Sequence, residues 1–213
     1  MKKTIILALL ALLTLPVMPQ SRKYKKVMLS AVEKMNEATD PSSELKLAAS
    51  FEEIALNFPE QWLPSYHASR ILVFSSFEES DGSKSDTLLD RAKKSLDKAM
   101  KMVPEESEVR ALEAFYYIGM ISADPDTRGQ LYYQDVLDAI QKSRQFNPEN
   151  PRAYYIDGMM TSNMPEFLGG GPEAAKPILL EAQGKFKAFH NDDPFWPSWG
   201  EDLNQASLDS LNE

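Results

Sequence analysis

The sequence contains no cysteine and only two histidines, and these shortages exclude several kinds of chemistry. Without cysteine the chain has no disulfide, no thiol nucleophile and no lipid-modified cysteine. His67 and His190 lie far apart in the sequence, and neither stands in a zinc-binding spacing such as two histidines four residues apart. We therefore expect no metal site and no cofactor.

Other catalytic patterns are missing as well. No serine lies in a Gly-x-Ser-x-Gly turn. Acidic pairs that are adjacent in sequence point about 100° apart on a helix and cannot act together on one substrate; examples are Glu52-Glu53, Glu78-Glu79 and Asp192-Asp193. The sequence thus predicts a protein that is not an enzyme.

Basic residues are in the minority, with 23 Lys and Arg against 32 Asp and Glu and a net charge of −9. The one basic cluster comprises Arg22, Lys23, Lys25 and Lys26. Nucleic-acid binding needs a basic face that displaces phosphate counterions. We therefore expect no nucleic-acid partner.

The chain has a single long apolar run, Ile5 to Leu15, which follows Met1, Lys2 and Lys3 and ends at Pro16. A spanning helix needs about 20 apolar residues, whereas this shorter run after a positive start is typical of a secretory signal. We predict a signal peptide over residues 1–20 and a single domain over residues 21–213. The expected product is a soluble protein of the periplasm or the extracellular space, without a stable membrane span.

A motif recurs along the rest of the chain. It reads Ala92, Leu96, Ala99, Pro104-Glu105 in the middle, Val136, Ile140, Ser143, Pro148-Glu149 further on, and Leu47, Phe51, Ile54, Pro59-Glu60 earlier. The three prolines are 45 and 44 residues apart. Such regular self-similarity indicates a repeat array.

Each repeat also has a second half. Ten residues beyond each proline lies a small residue, Ser69, Ala114 or Gly158, which allows two helices to approach closely. No segment alternates apolar and polar residues as a strand would. The sequence therefore predicts an all-α fold built from helix pairs.

These features resemble the tetratricopeptide repeat family. Ser69, Ala114 and Gly158 match the family's small first-helix residue, and the closing prolines match as well; the second-helix alanines are Ala92, Ala99, Ala175 and Ala182. The family's unit has roughly 34 residues, and these units are about ten longer. We expect the excess to form long loops between paired helices, at residues 80–86, 122–129 and 163–171.

The resemblance implies an α-solenoid of about three and a half to four helix pairs. A final helix from Ser198, with Glu201 three residues later as in a capping box, is expected to close the array. Just before it, Phe195, Trp196 and Trp199 are expected to cap the hydrophobic core, with a sugar or peptide platform as the alternative.

In this family the first helix of each pair lines a concave face. The resemblance therefore implies a groove for an envelope protein or an extended peptide, formed by Tyr66, Arg70, Phe74, Phe115, Arg152, Tyr155 and Met159. The function expected first is that of an exported scaffold or adaptor. A purely structural unit that stacks on itself is a further alternative.

A second hypothesis concerns Gly169, Gly170 and Gly171, which precede a helix start at Pro172. Free backbone N–H groups there could bind an anion, although the glycines can equally serve a tight crossover. Similar crossovers occur in the periplasmic tetratricopeptide proteins associated with TRAP transporters. That likeness implies a carrier of a small molecule, with the solute between the groove and this possible ligand loop.

Overall fold

The computed structural model describes residues 19–38 and 40–211, and these residues are almost entirely helical. No strand occurs among them, in agreement with the all-α prediction. Residues 1–18, which hold most of the predicted signal peptide, lie outside the described residues. The helices are α1 (Pro19–Glu37), α2 (Pro41–Asn57), α3 (Leu63–Glu78), α4 (Gly82–Met102), α5 (Ser107–Ala123), α6 (Pro125–Phe146), α7 (Pro151–Asn163), α8 (Pro172–Ala188) and α9 (Glu201–Ser210), with a 3-10 turn at Glu166–Leu168.

Within the described part of the chain, no helix is both long enough and apolar enough to cross a membrane.

Polar caps and prolines set the helix starts. The Asp40 side chain accepts hydrogen bonds from the backbone N–H groups of Ser42 and Ser43, and Pro41 occupies the first turn. Asn150 caps α7 in the same way through the N–H of Arg152, at 3.0 Å. Asp-Pro and Asn-Pro pairs are local signals of a helix start, because the first residue caps the helix and proline fits its first turn.

Helices that follow one another in the chain pack as pairs, α3 with α4, α5 with α6 and α7 with α8, and the first helices of the pairs also contact one another. The repeated small residues lie at these contacts. Ser69 and Ala114 are completely buried. A Cβ atom at Gly158 would lie 2.6 Å from Leu179 Cδ2, so α7 and α8 approach as closely as the sequence predicts.

The prediction of three long loops is wrong for two of the three pairs. Helix α4 begins at Gly82 and α6 at Pro125, so most of the extra residues lengthen the second helices at their N-termini. The reason is capping: Asp81 accepts from the N–H of Ser83, and Asp124 accepts from the N–H of Thr127. A loop remains only between α7 and α8, at residues 164–171.

The last helix starts later than the sequence predicts. Helix α9 begins at Glu201, with Gly200 as its N-cap at a φ of 110°, and Ser198 lies before it in a non-helical segment. A Cβ atom at Gly200 would lie 2.8 Å from Phe186 Cζ. The glycine therefore permits both the positive φ and the close contact with α8.

Candidate functional site

The concave face predicted to be a groove is filled by the C-terminal segment, residues 190–200. Tyr66 is completely buried, and its hydroxyl accepts a hydrogen bond of 2.8 Å from Trp199 Nε1. The Phe115 ring lies 5.6 Å from the Trp199 ring. His67 Nε2 lies 2.7 Å from the carbonyl oxygen of Phe195. The rings of this segment thus cap the core, as the sequence analysis expected.

Arg152, another of the predicted groove residues, is a structural anchor. It is 1% exposed and makes an ion pair of 2.9 Å with Glu108, and its other terminal nitrogen donates to the carbonyl oxygen of Pro197 at 2.5 Å. Burial raises the pKa of Glu108 to about 6, and the charge of Arg152 opposes that shift. The pair therefore ties α5 and α7 to the C-terminal segment.

Four predicted groove residues remain. Tyr155 is buried, and its hydroxyl donates to Met159 Sδ at 3.6 Å. Phe74 is half-buried between Phe115 and Trp199. Arg70 is half-buried beside the same segment. Of the whole predicted set, Met159 is the residue that faces a large cavity, and no open groove connects the seven.

That cavity is an apolar cleft at the end of the helix pairs where α3, α5 and α7 finish and α6 begins. Its volume is about 910 Å³. We call it the loop-end cleft, and its lining comprises Phe77, Ile118, Ile121, Ser122, Pro125, Gly129, Gln130, Tyr133, Met159, Met160, Asn163, Met164, Pro165 and Leu168. It is open to solvent, and its walls are mainly carbon and thioether sulfur.

Three methionines give the cleft an adaptable wall. Met159, Met160 and Met164 are half-buried, and the Tyr133 hydroxyl donates to Met164 Sδ at 3.4 Å. Thioether side chains are flexible and polarizable, and they make favourable contacts with aromatic rings. Phe77 and Tyr133 add two aromatic side chains, each 37% exposed. The arrangement suits an apolar ligand with aromatic surface.

The glycine loop shapes one wall of the cleft, and its N–H groups are already bonded. Gly169 N–H donates to Glu166 O, Gly170 N–H to Pro165 O, and Gly171 N–H to Thr161 O. None of the three is therefore free for an anion in this structure. Gly169 and Gly171 have φ values of 85° and 93°, which supports the alternative that these glycines form a tight crossover.

Large apolar side chains are also exposed at the rim. Leu168, a lining residue of the cleft, is 61% exposed, and its neighbour Phe167 on the same 3-10 turn is 86% exposed. Exposed apolar side chains clustered around an apolar cleft mark a binding surface more than isolated ones do.

Sequence reasoning missed most of this cleft, including Phe77, Ile121, Tyr133 and Met160. The signal that could have found it was the group of three methionines between positions 159 and 164, next to the expected loop at residues 163–171. Metal chemistry finds no support among the described residues, where no group of three His, Cys, Asp or Glu side chains is placed to hold an ion.

Comparison with known proteins gives a result at the level of structure. A scan against models of protein families finds no match, and a search of curated proteins finds none either. Among solved structures, the chain is similar to a haemophore. That protein is HusA from Porphyromonas gingivalis, with a TM-score of 0.80 and 25% sequence identity over 91% of this chain and 95% of that chain. The likeness thus covers nearly the whole helical arrangement.

Proposed function

We propose that this chain is a non-enzymatic binding protein of the cell envelope whose loop-end cleft holds a flat tetrapyrrole of the haem class. The observation that carries the proposal is an apolar cleft of about 910 Å³, lined by methionine and aromatic side chains, in a fold similar to that of a haemophore. This volume lies within the range of about 300–1,000 Å³ that is usual for small-molecule sites.

Burial of the ring supplies the affinity in this proposal. Removing apolar surface from water contributes roughly 25 cal/mol per Å², so a large flat ring gains several kcal/mol from contact with Ile118, Ile121 and Met160 alone. Ser122, Gln130 and Asn163 lie among the lining residues and offer polar groups to the carboxylates at a tetrapyrrole's edge.

Neither histidine lies in the cleft, because His67 is in the core and His190 is an exposed residue at the start of the C-terminal segment. Met159, Met160 and Met164 line the cleft, and methionine sulfur can ligate haem iron. We therefore expect the ferric complex of protoporphyrin IX to bind at least as tightly as metal-free protoporphyrin IX.

The proposal favours the carrier hypothesis over a scaffold acting through the concave face, because residues 190–200 fill that face. Two parts of the proposed function rest on the sequence alone. Export rests on the apolar run Ile5 to Leu15, and the tetratricopeptide character of the helix pairs rests on the repeated motif.

A titration followed by absorbance of the porphyrin tests the proposal. We expect saturable binding of both porphyrins to the purified protein. Ile121→Glu, which places a carboxylate in the cleft, should weaken binding at least about tenfold, a loss of about 1.4 kcal/mol. The matched control is Leu180→Glu, because Leu180 is 50% exposed on α8 and is not among the cleft residues.

Melting temperatures of both variants establish that they are folded. Failure of the wild-type protein to bind either porphyrin would contradict the proposal, and so would an Ile121→Glu variant that is folded and binds as tightly as wild type.

A further inference from the structure

Arg70 differs from the other arginines of helices α3 to α7 because its guanidinium has no hydrogen-bond or ion-pair partner among the described residues. The other five each form an ion pair with a carboxylate at 3.0 Å or less; these pairs are Arg91–Glu52, Arg110–Glu113, Arg128–Asp86, Arg144–Asp157 and Arg152–Glu108. Arg70 makes neither a hydrogen bond nor an ion pair with a described residue, and its Cζ lies 5.2 Å from the centre of the Phe74 ring.

The surroundings leave this positive charge uncompensated. The carboxylate that attracts Arg70 most directly belongs to Glu44, but one of its oxygens already accepts a hydrogen bond from Ser75 Oγ at 3.1 Å. The neighbouring cation, Arg152, is matched by Glu108. Arg70 is half-buried, and burial lowers the pKa of its guanidinium. A cation that loses water without gaining an acceptor is costly, so an external acceptor would stabilise it.

Arg70 faces a pocket separate from the loop-end cleft. The pocket has a volume of about 200 Å³, several times the roughly 30 Å³ of one liquid water molecule. It lies between α1, α3 and the C-terminal segment, and its lining comprises Met35, His67, Arg70, Pro197, Ser198 and Trp199. We call it the Arg70 pocket. Met35, Pro197 and Trp199 give it apolar walls.

A second polar group at this pocket also lacks a partner. His67 is 1% exposed, and its Nε2–H donates to Phe195 O, which leaves Nδ1 as an unprotonated acceptor. Nδ1 has no hydrogen-bond partner among the described residues. An unprotonated Nδ1 cannot bond a carboxylate oxygen, because both are acceptors. The donors at this pocket that a ligand would satisfy are therefore those of Arg70, one turn further along α3.

We infer that the Arg70 pocket binds the carboxylate of a small organic acid, with the Arg70 guanidinium as its partner. A guanidinium and a carboxylate match in a bidentate geometry. One cation compensates one negative charge, and the nearby Glu44 disfavours a dianion such as phosphate. The apolar walls fit the body of an acid with a short hydrocarbon or ring. This inference does not depend on the tetrapyrrole proposal.

The carboxylate could belong to a free acid or to a molecule whose ring lies in the loop-end cleft. Arg70, Phe74 and Phe77 lie on one face of α3, and Phe77 lines that cleft about 10 Å further along the helix. The experiment therefore separates the two sources.

Benzoate is a suitable probe, and benzamide is its neutral control of nearly equal shape. Binding is followed by NMR of the Trp199 indole N–H, which lies at the pocket. We expect saturable benzoate binding with a dissociation constant on the order of 1 mM or tighter, and much weaker binding of benzamide.

Two substitutions of Arg70 and one of a distant arginine test whether benzoate binding depends on Arg70. Arg70→Gln should raise the dissociation constant for benzoate at least about tenfold, and Arg70→Lys should give an intermediate value because lysine lacks the bidentate fork. Arg91→Gln removes the same charge at a distant site and should bind benzoate as wild type does. The benzoate titration is then repeated with protoporphyrin IX bound. If the bound porphyrin weakens benzoate binding, and if this competition depends on Arg70, the carboxylate in the Arg70 pocket is that of the cleft ligand.

The inference is overturned if benzoate binds no better than benzamide, if Arg70→Gln and Arg70→Lys are both folded and bind benzoate as wild type does, or if inorganic phosphate binds more tightly than benzoate. Loss of porphyrin binding in Ile121→Glu with intact benzoate binding would support both sites as separate.

Discussion

His67 is buried against the Phe51 ring, with ring centres 5.0 Å apart, and holds the C-terminal segment through one hydrogen bond. Burial lowers the pKa of His67 to about 4, although the bond to Phe195 O opposes the shift. The folded protein therefore binds a proton at this site less readily than the unfolded chain, whose histidines titrate near pH 6.5. The stability that neutral His67 contributes is complete above about pH 6.5 and is lost as the pH falls toward 4.

We predict that the free energy of unfolding of wild type falls by about 2 to 3 kcal/mol more than that of His67→Phe between about pH 7 and pH 4.5. Urea unfolding at both pH values measures the difference. Burial raises the pKa of Glu108, so the contribution of Glu108 to the free energy of unfolding rises as the pH falls from about 6. Wild type and His67→Phe share this contribution, so it cancels in the difference between them. The exposed His190 provides the control, since His190→Phe should behave as wild type. Equal losses in wild type and His67→Phe would contradict the assignment.

The buried pair of Arg152 and Glu108 makes a different prediction. Arg152→Met leaves the Glu108 carboxylate buried without its cation, so we expect a loss of about 3 to 5 kcal/mol in the free energy of unfolding. Adding Glu108→Gln removes that charge, and the double variant should be more stable than Arg152→Met alone. Denaturant unfolding of wild type, of each single variant and of the double variant gives the coupling energy between Arg152 and Glu108. A double variant less stable than Arg152→Met would show that the ion pair is not the dominant contact.

At the scale of helices, the contact of α7 with α8 depends on Gly158. We predict that Gly158→Ala destabilises the protein by about 1 to 3 kcal/mol, because the new methyl group would meet Leu179. Adding Leu179→Ala should recover part of that loss by making room. Gly184, on α8, has nothing within 4 Å of an added Cβ, so Gly184→Ala should be neutral or stabilising by up to about 1 kcal/mol. Thermal unfolding measures all three, and equal effects of the two glycine substitutions would refute the close-approach explanation.

Helix pairing could be predicted from the sequence because its signals are local. The periodic Ala92, Leu96 and Ala99, together with the closing prolines, mark the buried face and end of each second helix. The caps at Asp81 and Asp124 are local signals too. They are ambiguous, however, because an acidic residue in a polar segment is typical both of a loop and of a helix start. The prediction of loops at these residues places the starts of α4 and α6 several residues too late.

At the scale of the whole molecule, the positions of binding residues could not be predicted, since they depend on where the C-terminal segment lies. Nothing near Trp199 in the sequence indicates that its indole meets Tyr66, 133 positions away. Once this segment fills the concave face, aromatic residues expected to bind a partner become core residues. The available apolar surface then lies at the loop end, where three separate helix termini and the glycine crossover meet.

The measurement that tests the central claim most directly is NMR of the methionine methyl groups during a titration with metal-free protoporphyrin IX. A porphyrin ring shifts the resonances of protons that lie against its face. We expect large shifts for Met159, Met160 and Met164, and no shift for Met28, which is completely buried on α1. Shifts confined to these three would place the ring in the loop-end cleft. No shift at any of the three would contradict the account.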